Sequence, residues 1–333
     1  MSITIREIAK LAKVSKGSVS KALNGQPGVS EKTRKRILKL VEEVGYEPNF
    51  SAQALAFRKT GNIGLIIPHE ASYSLNGSYW SELITAIAQK SNELGYNLLL
   101  LTAEHEGEIE SAYRKVLKTK RIDGLIIGSE MLDKEGLSSL ESHDTPFVLI
   151  GKNPEVNHYF VDADNYQGAY DITRYMIEKG YKRIIVLAGP MNYYYIKERV
   201  RGFQEAMKEA GLDASGVYSS IYDTQPVIEC IKKAMKEFKP DSIFVSSGGE
   251  FLFDVLQALK NHSVQFPKFG ITVFDDFRFL DFIYPRVTAV VQPIQEIGRK
   301  ATEMLFSLLN KEKPESKEII LKTNIKPRES CGE

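Results

Sequence analysis

The chain has 333 residues, of which 43% are hydrophobic and 26% charged, so it can bury a sizeable core and exceeds one ordinary domain. Only two cysteines occur, Cys230 and Cys331, and the five histidines lack metal-ligand spacing, which excludes a disulfide scaffold and a zinc motif. No apolar stretch is long enough to span a bilayer. We therefore expect a soluble, cytoplasmic protein that binds no membrane, no metal and no cofactor.

The net charge of +1 hides an uneven distribution of charge along the chain. Residues 1–60 hold 12 Lys and Arg against 5 Glu, whereas the remainder holds 32 basic and 38 acidic residues. A basic first segment on a mildly acidic body is typical of proteins that bind the phosphate backbone of nucleic acids. The alternative interpretation is a solvated basic face on a small helical cap.

Two short helices are predicted within residues 4–25. Thr4 and Glu7 have the spacing of a capping box, which would start a helix at Ile5, and Ser15 can cap a second helix after a short turn. Apolar residues recur at helical spacing in both segments, so the two helices can pack together. Two helices joined this tightly are a helix-turn-helix.

The outer face of the second predicted helix is suited to a DNA groove. It carries short or cationic side chains that a recognition helix can insert into the major groove: Lys16, Gly17, Ser20 and Lys21. Ser30 can cap a third helix, predicted over residues 31–44. We expect cations of this third helix to meet phosphates: Lys32, Arg34, Lys35, Arg36 and Lys39.

Four segments carry a family resemblance: residues 4–25, 29–34, 45–49 and 52–56. In order and spacing they resemble the DNA-binding head of the lactose-repressor (LacI/GalR) family of bacterial transcription regulators. The resemblance implies that the head grips operator DNA through the following residues: Thr4, Ser15, Lys16, Gly17, Ser20, Lys21, Asn24, Ser30, Thr33, Arg34, Asn49, Ala52, Gln53 and Leu55.

A short hinge helix is predicted over residues 50–57, capped by Asn49. Such a helix is marginal on its own in water, because nucleation costs more than so few hydrogen bonds return. The resemblance implies that two hinge helices, one from each subunit, meet in the minor groove of the operator, where Leu55 wedges a base step open. In the alternative interpretation Leu55 makes an ordinary linker contact.

From residue 63 onward, continuous apolar strands alternate with amphipathic helices, which is typical of parallel sheets covered on both faces. The predicted strands span residues 63–68, 97–101, 124–128, 147–150, 183–189, 242–245 and 270–274. The predicted helices span residues 79–93, 108–119, 167–179, 196–210, 227–238, 250–260 and 294–309.

The predicted fold class is α/β, with an N-terminal all-α helix-turn-helix head and two doubly wound parallel-sheet lobes that resemble periplasmic binding proteins. We divide the chain into a head (residues 1–48), a hinge helix and linker (49–60), an N-terminal lobe (61–161 plus 291–321) and a C-terminal lobe (162–290 plus 322–333). Ligands of such sheets lie beyond the carboxyl ends of the strands, so the effector site should come from the loops that follow strands.

The resemblance also implies two charged effector contacts. Arg199 matches the family's arginine, whose guanidinium can donate paired hydrogen bonds to hydroxyls or a carboxylate, and Asp275 matches the family's acceptor. Either residue could instead be an interlobe salt-bridge partner. Nearby aromatic side chains would suit a carbohydrate, although Trp80 and Tyr222, the preferred stacking candidates, could equally be core. The candidate effector residues are Tyr79, Trp80, Asp164, Tyr193, Arg199, Tyr222, Ser247, Phe274 and Asp275.

This sequence departs from the family pattern at three places. Residues 247–249 read Ser-Gly-Gly where relatives carry an Asn-Asp pair, which removes an amide and a carboxylate from the cleft. Lys13 replaces a turn glycine, and a left-handed conformation there would cost about 1 kcal/mol. Lys21 stands where arginine is common. Arginine can donate two hydrogen bonds to one guanine, whereas the lysine ammonium acts as a point charge, so recognition of guanine is weaker there.

We expect an effector-responsive, sequence-specific transcriptional regulator and not an enzyme, because no nucleophile elbow, phosphate loop or dinucleotide fingerprint occurs. The favoured interpretation is a homodimeric repressor that a sugar or oligosaccharide releases from a near-palindromic, double-stranded operator. Two alternatives stay open: a catabolite-control regulator activated by a phosphorylated carrier protein, and a cytoplasmic sugar-binding protein or enzyme.

Overall fold

The computed structural model describes residues 3–23, 25–46, 59–67, 78–102, 117–128, 134–155 and 157–332. The chain forms two compact units, which we call the head (Met1–Gly61) and the effector domain (Asn62–Glu333). In the described part of the chain, no helix is both long and apolar enough to cross a membrane.

The head contains three helices: α1 (Ile5–Leu11), α2 (Lys16–Leu23) and α3 (Glu31–Glu43). The predicted capping box is confirmed, because the Thr4 hydroxyl accepts from Glu7 N while the Glu7 carboxylate accepts from Thr4 N at 2.7 Å. Ser15 likewise accepts from Ser18 N at 3.0 Å and caps α2. These local bonds fix where each short helix begins.

One apolar residue from each helix makes the centre of the head's small core. Ile8 of α1, Val19 of α2 and Ile37 of α3 are all fully buried. The turn between α1 and α2 places Lys13 at φ 51°, in the left-handed region. This confirms the expected backbone conformation, whose cost is about 1–2 kcal/mol for a residue with a Cβ.

The effector domain contains two six-stranded sheets, ordered β11-β5-β4-β3-β1-β2 and β12-β10-β9-β8-β6-β7. All described strand pairs are parallel except β10 with β12. The first sheet comprises β1 (Asn62–Ile67), β2 (Asn97–Thr102), β3 (Gly124–Gly128), β4 (Phe147–Ile150), β5 (Phe160–Ala163) and β11 (Glu318–Leu321). The second comprises β6 (Ile184–Ala188), β7 (Val217–Ser219), β8 (Ser242–Val245), β9 (Gly270–Phe274), β10 (Thr288–Val291) and β12 (Asn324–Lys326).

Amphipathic helices cover the sheets: α4 (Ser78–Glu93), α5 (Lys134–Glu141), α6 (Asn165–Glu178), α7 (Tyr194–Glu209), α8 (Thr224–Glu237), α9 (Glu250–Lys260) and α10 (Ile294–Leu309). Helices α4 and α10 share a core with the first sheet, whereas α6 and α7 share one with the second. We call these assemblies the first and second lobes. The predicted α/β class with a helix-turn-helix head and two parallel-sheet lobes is confirmed.

The chain passes between the sheets after Ala163, after Val291 and after Leu321. The division of the chain into head, hinge and lobes given above stays a prediction. The predicted helix over residues 108–119 lies largely outside the described residues, as does the hinge helix.

Five strands that the sequence pattern did not reveal complete the two sheets: β5, β7, β10, β11 and β12. Each has only three or four residues, and two of them, β11 and β12, carry exposed polar side chains at sheet edges. Short edge segments of mixed polarity lack a periodic signal, since their pairing partners lie far away in the sequence.

Helices α6 and α7 pack closely because Gly202 has no side chain. A Cβ at Gly202 would overlap the backbone carbonyl of Tyr166 and lie 2.9 Å from the backbone nitrogen of Tyr170. This approach brings Arg199, one turn earlier on α7, against Asn165 at the start of α6. The fold thereby places a guanidinium at the carboxyl edge of the second sheet.

Candidate functional site: a DNA-facing helix and an effector cleft

In the head, the outer face of α2 is open to solvent. Lys16, Gly17 and Lys21 are exposed, and Ser20 is half-buried, as a recognition helix requires. Thr4 and Ser15 act as helix caps, and their exposed positions also leave them accessible to a phosphate. The structure therefore presents one short, cationic surface of α2.

Helix α3 holds the head together through its basic residues. Arg34 donates to the backbone carbonyls of Ala22 at 3.5 Å and Gln26 at 2.6 Å, and Arg36 donates to the carbonyl of Ala12 at 2.9 Å. Both arginines therefore brace the turns around α2. Ser30 caps α3, and its hydroxyl lies 2.9 Å from that of Thr33.

Some of the residues predicted to contact DNA lie outside the described part of the chain. They are Asn24 and the hinge residues Asn49, Ala52, Gln53 and Leu55. Their proposed contacts therefore stay predictions.

In the effector domain, polar residues follow the strands of the second sheet at its carboxyl edge. In spatial order they are Gln292 after β10, Asp275 after β9, Ser246 and Ser247 after β8, Gly189 after β6, and Tyr222 after β7. We call this series the edge row. It lies where ligands bind in parallel α/β sheets.

Arg199 is only 4% exposed and sits above the middle of the edge row. Its Nε donates to Asn165 Oδ1 at 2.9 Å and its Nη1 donates to the carbonyl of Ser246 at 2.6 Å. Its guanidinium lies between two rings, 3.5 Å from the centroid of Phe274 and 4.9 Å from that of Tyr195. Stacking and hydrogen bonds together fix the direction in which the remaining N–H groups point.

Phe274 has a different position from the one expected of a ligand contact. Its ring is fully buried in the second lobe, beneath the Arg199 guanidinium. In this conformation Phe274 supports the guanidinium and does not reach the cleft surface. We therefore regard it as a positioning residue.

Asp275 is 8% exposed and has a strained backbone, with φ at 91°. Its carboxylate accepts from the side-chain amide of Gln292 and from Gly248 N at 3.3 Å. Non-glycine residues adopt such a φ only when their surroundings hold them there, and these positions cluster at functional sites.

The neighbouring Asp276 helps to fix this backbone conformation of Asp275. Its carboxylate accepts from Arg328 Nη2 at 2.5 Å and from Lys326 Nζ at 3.2 Å, and Arg328 is 4% exposed. Arg328 also bonds Asp281 at 2.7 Å and the carbonyl of Val287 at 2.8 Å. The strained Asp275 is therefore anchored from the residue that follows it.

Tyr222 and Ser247 are bonded to each other. The Tyr222 hydroxyl lies 3.1 Å from Ser247 Oγ and 3.2 Å from the Tyr195 hydroxyl. Tyr195 in turn stacks on Tyr193 with centroids 5.7 Å apart. Burial raises the pKa of Tyr222, so its hydroxyl stays protonated and can donate. This end of the edge row is aromatic and lined by hydroxyls.

Asp164 and Asp162 lie where the chain passes from the first sheet to the second lobe. Asp164 caps α6, because its Oδ1 accepts from Gln167 N at 2.9 Å. Asp162 accepts from Lys152 N and Ala163 N, yet burial raises its pKa to about 6, and the nearby Arg199 only partly opposes this rise.

Sequence reasoning did not single out four residues of this site: Asp162, Asn165, Tyr195 and Gln292. Each follows or ends a strand or begins a helix, and Tyr195 belongs to a Tyr-Tyr-Tyr run. Gln292 was missed because it follows β10, a short strand that the sequence pattern did not reveal. The role of Asn165 depends on its tertiary contact with Arg199.

Opposite the edge row, the first lobe contributes one face of α4. Trp80 is 7% exposed and belongs to the first lobe's core, and Tyr79 packs against that core with its ring edge-on to Trp80. On the same helix, burial and then the carboxylates of Asp276 and Asp275 raise the pKa of Glu82. Phe277, two residues after Asp275, packs in the same core as Trp80, so α4 lies near the Asp275 end of the edge row.

No cluster of three or more His, Cys, Asp or Glu side chains suited to a metal occurs among the residues the structure describes. The two cysteines are free thiols, with Cys331 buried and Cys230 half-buried.

Comparisons with known proteins agree with this architecture. Residues 4–49 match the family described as bacterial regulatory proteins, lacI family, and residues 60–328 match periplasmic binding proteins and sugar binding domain of LacI family. The chain is 30% identical to catabolite control protein A of Priestia megaterium, covering 99% of each protein. It is 26% identical to the transcriptional repressor PurR of Haemophilus influenzae, covering 91% of this chain and 90% of that protein.

Among solved structures, the chain resembles the complex of transcriptional regulator CelR with cellobiose, at TM-score 0.75 and 25% identity over 98% of this chain and 99% of that one. It also resembles the lac repressor dimer bound to operator, at TM-score 0.83 and 20% identity over the whole of both chains. Fold and site thus define a transcriptional regulator with a helix-turn-helix head and a two-lobed effector domain. The chain belongs to the LacI family of bacterial regulatory proteins.

Proposed function

We propose that this protein is a homodimeric repressor that releases a near-palindromic, double-stranded operator when a carbohydrate binds at the edge row. The observation that carries the proposal is the position of two buried charged residues at the carboxyl edge of the second sheet: Arg199 of α7, 4% exposed, which bonds Ser246 after β8, and Asp275 after β9, 8% exposed. A fixed guanidinium and a fixed carboxylate together read the donors and acceptors of vicinal hydroxyls. The carbohydrate reading is also supported by the sugar-binding family description and by the cellobiose-bound relative.

Large apolar side chains exposed on the second lobe support the dimer. Phe282 and Tyr284 are 77% and 78% exposed, and Ile221 is 59% exposed. Phe253, at 42% exposure, lies 4.8 Å from Phe279, in the same segment as Phe282. Several large apolar side chains exposed on one lobe are typical of an interface. A second copy of the chain would give the head the two-fold symmetry that a near-palindromic operator needs.

The proposed mechanism is a population shift between two arrangements of the lobes. A sugar that contacts the edge row and α4 favours one arrangement by its difference in affinity for the two. The shift changes the distance between the first lobes of the two subunits. The hinge helices then no longer pair, and the two heads bind the operator less tightly.

Effector binding is tested by thermal shift of the full chain against a panel of neutral sugars. A bound sugar raises Tm because it stabilises the folded state in proportion to its occupancy. The variants Arg199→Ala and Asp275→Ala should lose this rise, whereas Arg201→Ala should keep it, because that arginine is exposed and pairs with Glu198. Hits that bind all four proteins equally would place the effector elsewhere.

Repression is tested by fluorescence anisotropy with an operator selected from a random duplex library. We expect affinity to fall steeply with salt, because Lys and Arg displace counterions from phosphates. The identified sugar should weaken binding for the parent but not for Arg199→Ala. The variant Leu55→Ser should bind the selected operator weakly and random DNA normally, because it lacks only the minor-groove wedge.

A second candidate function is a catabolite-control regulator activated by a phosphorylated carrier protein. The 30% identity with catabolite control protein A favours it. Titration with a phosphorylated and an unphosphorylated carrier, without sugar, separates the candidates. Enhanced operator binding with the phosphorylated form alone would favour the second.

A further inference from the structure

The edge row has two ends of different character, and a tyrosine of the second lobe lies across one of them. At the covered end, Tyr222 comes from the loop after β7, the edge strand, and its hydroxyl reaches Ser247 after β8. Between them lies β6, which ends beside Gly189. The Tyr222 side chain therefore crosses the carboxyl end of one whole strand.

Tyr222 can cross the end of β6 because residue 189 is a glycine and has no side chain. A Cβ at Gly189 would overlap the Tyr222 hydroxyl and lie 2.8 Å from its Cζ. The ring rests on the Gly189 backbone, and Phe251 meets it edge-on at 5.2 Å between centroids. Hydroxyl bonds to Ser247 and Tyr195 fix its tip. Contacts from four separate segments thus hold the ring in place.

The Ser-Gly-Gly sequence at residues 247–249 belongs to the same arrangement. Ser247 is 8% exposed and meets the Tyr222 hydroxyl, and a Cβ at Gly248 would approach Phe277 to 2.6 Å and Asp275 Cβ to 2.9 Å. Because Ser247 and Gly248 are small, Tyr222 and Asp275 can both pack against the loop that follows β8.

We propose that Tyr222 limits the length of the effector to a single sugar ring. Neighbouring strands are about 4.8 Å apart, so the part of the row that Tyr222 does not cross, from Ser247 after β8 to Gln292 after β10, spans about 10 Å. If the Tyr222 ring were absent, the row would extend over β6 and β7 to about 19 Å, which is long enough for two linked rings. This inference rests on the proposed carbohydrate effector.

The test compares monosaccharides with disaccharides on the parent and on Tyr222→Ala. The probes are glucose, galactose, mannose and N-acetylglucosamine, with cellobiose, maltose, lactose and chitobiose as their linked counterparts, titrated by calorimetry on the full chain. For the parent we expect a monosaccharide to bind about tenfold or more tightly than its disaccharide. In Tyr222→Ala the ratio should fall by about tenfold or reverse.

Two further variants separate the ring from its hydroxyl. Tyr222→Phe keeps the ring and loses the bonds to Ser247 and Tyr195, so it should keep the preference for a single ring. Gly189→Ala leaves Tyr222 intact but displaces its ring, so it should admit disaccharides as Tyr222→Ala does. Tyr218→Ala, on β7 and outside the edge row, serves as the matched control for loss of an aromatic residue.

The outcomes distinguish this inference from the proposed function. If a sugar binds but neither Tyr222→Ala nor Gly189→Ala changes the ratio of monosaccharide to disaccharide affinity, Tyr222 does not set effector length and the carbohydrate proposal stands. A parent that binds a disaccharide more tightly than its monosaccharide overturns the inference directly. If no sugar binds the parent or any variant while operator binding is normal, both proposals fail together.

Discussion

Buried polar side chains are distributed unequally between the two lobes of the effector domain. In the described part of the first lobe they are Ser91 and Thr302, and each donates its hydroxyl to a carbonyl one turn earlier in its own helix. The second lobe buries Arg199, Asp275 and Arg328, whose partners come from distant segments of the chain. One lobe has an apolar core, and the other is held together partly by charge.

This difference explains how the effector site is kept rigid. Apolar packing is non-directional and tolerates repacking, whereas a buried guanidinium stabilises one geometry and is costly in any other. The second lobe anchors Asp275 through Asp276 and Arg328, and holds Arg199 through Asn165. The second lobe therefore holds its charged side chains in a fixed geometry, whereas the first lobe is stabilised by apolar packing.

The largest expected effect comes from removing the buried cation of the second lobe. Arg328→Ala removes the buried guanidinium and leaves Asp276 and Asp281 only the half-exposed Lys326 as a cationic partner, which should cost about 3 kcal/mol in the free energy of unfolding. Arg286→Ala is the matched control, because its ion pair with Glu329 is exposed and should contribute less than about 1 kcal/mol. Urea denaturation measures both. Equal losses would show that burial does not distinguish the two pairs.

The stability of the first lobe should depend on how well its apolar core is filled and not on buried charges. Leu305 is fully buried, and truncation to Ala should cost about 2–5 kcal/mol by leaving a cavity. A Cβ at Gly124 would lie 2.9 Å from Leu305 Cδ1, so Gly124→Ala alone should overpack the core. The double variant should be more stable than Leu305→Ala, because the new methyl group fills part of the cavity. Denaturant midpoints of the four proteins test this, and additive losses would contradict it.

A smaller effect is expected from Asp162, which lies on β5 of the first sheet and faces Arg199 of the second lobe. Burial raises its pKa from 3.8 to about 6, so between these values the folded protein holds a proton that the unfolded chain has released. The free energy of unfolding should therefore fall as pH rises through this window and then level off.

The variant Asp162→Asn cannot titrate at this position and should lack that part of the slope. Urea denaturation of parent and variant across the window gives the difference, in which groups common to both proteins cancel. An identical pH dependence for the two proteins would mean that Asp162 is as well solvated in the folded state as in the unfolded chain.

Secondary-structure elements and their caps could be predicted from the sequence better than the tertiary contacts of the effector site. Continuous apolar strands such as β3 and β4, and caps such as Thr4 and Ser30, are local signals and were found in place. The contact between Tyr222 and Ser247 joins residues 25 apart through Gly189, so no local pattern encodes it. Arg199 and Asp275 were reached only through family resemblance, because a single charged residue has no periodicity to reveal its burial.

The smallest expected effect tests whether the polar groups of the first lobe matter at all. Ser91→Ala removes a hydroxyl that bonds Ile87 O at 2.6 Å, but that carbonyl keeps its helical hydrogen bond, so the cost should stay below about 1 kcal/mol. Thr288→Val is its counterpart in the second lobe. The Thr288 hydroxyl donates to Arg328 O and accepts from Arg328 N, each at 2.9 Å, and its loss leaves a buried N–H unpaired.

We therefore expect Thr288→Val to cost about 1–3 kcal/mol, clearly more than Ser91→Ala, in denaturation curves measured side by side. The two substitutions remove the same kind of group from equally buried positions, since both residues have no exposed surface. Their difference thus isolates what the hydroxyl bonds to: its own helix in the first lobe, or the arginine that anchors the effector site in the second. If the costs are the same, the second lobe's network does not depend on Thr288, and the contrast between the lobes rests on the charged residues alone.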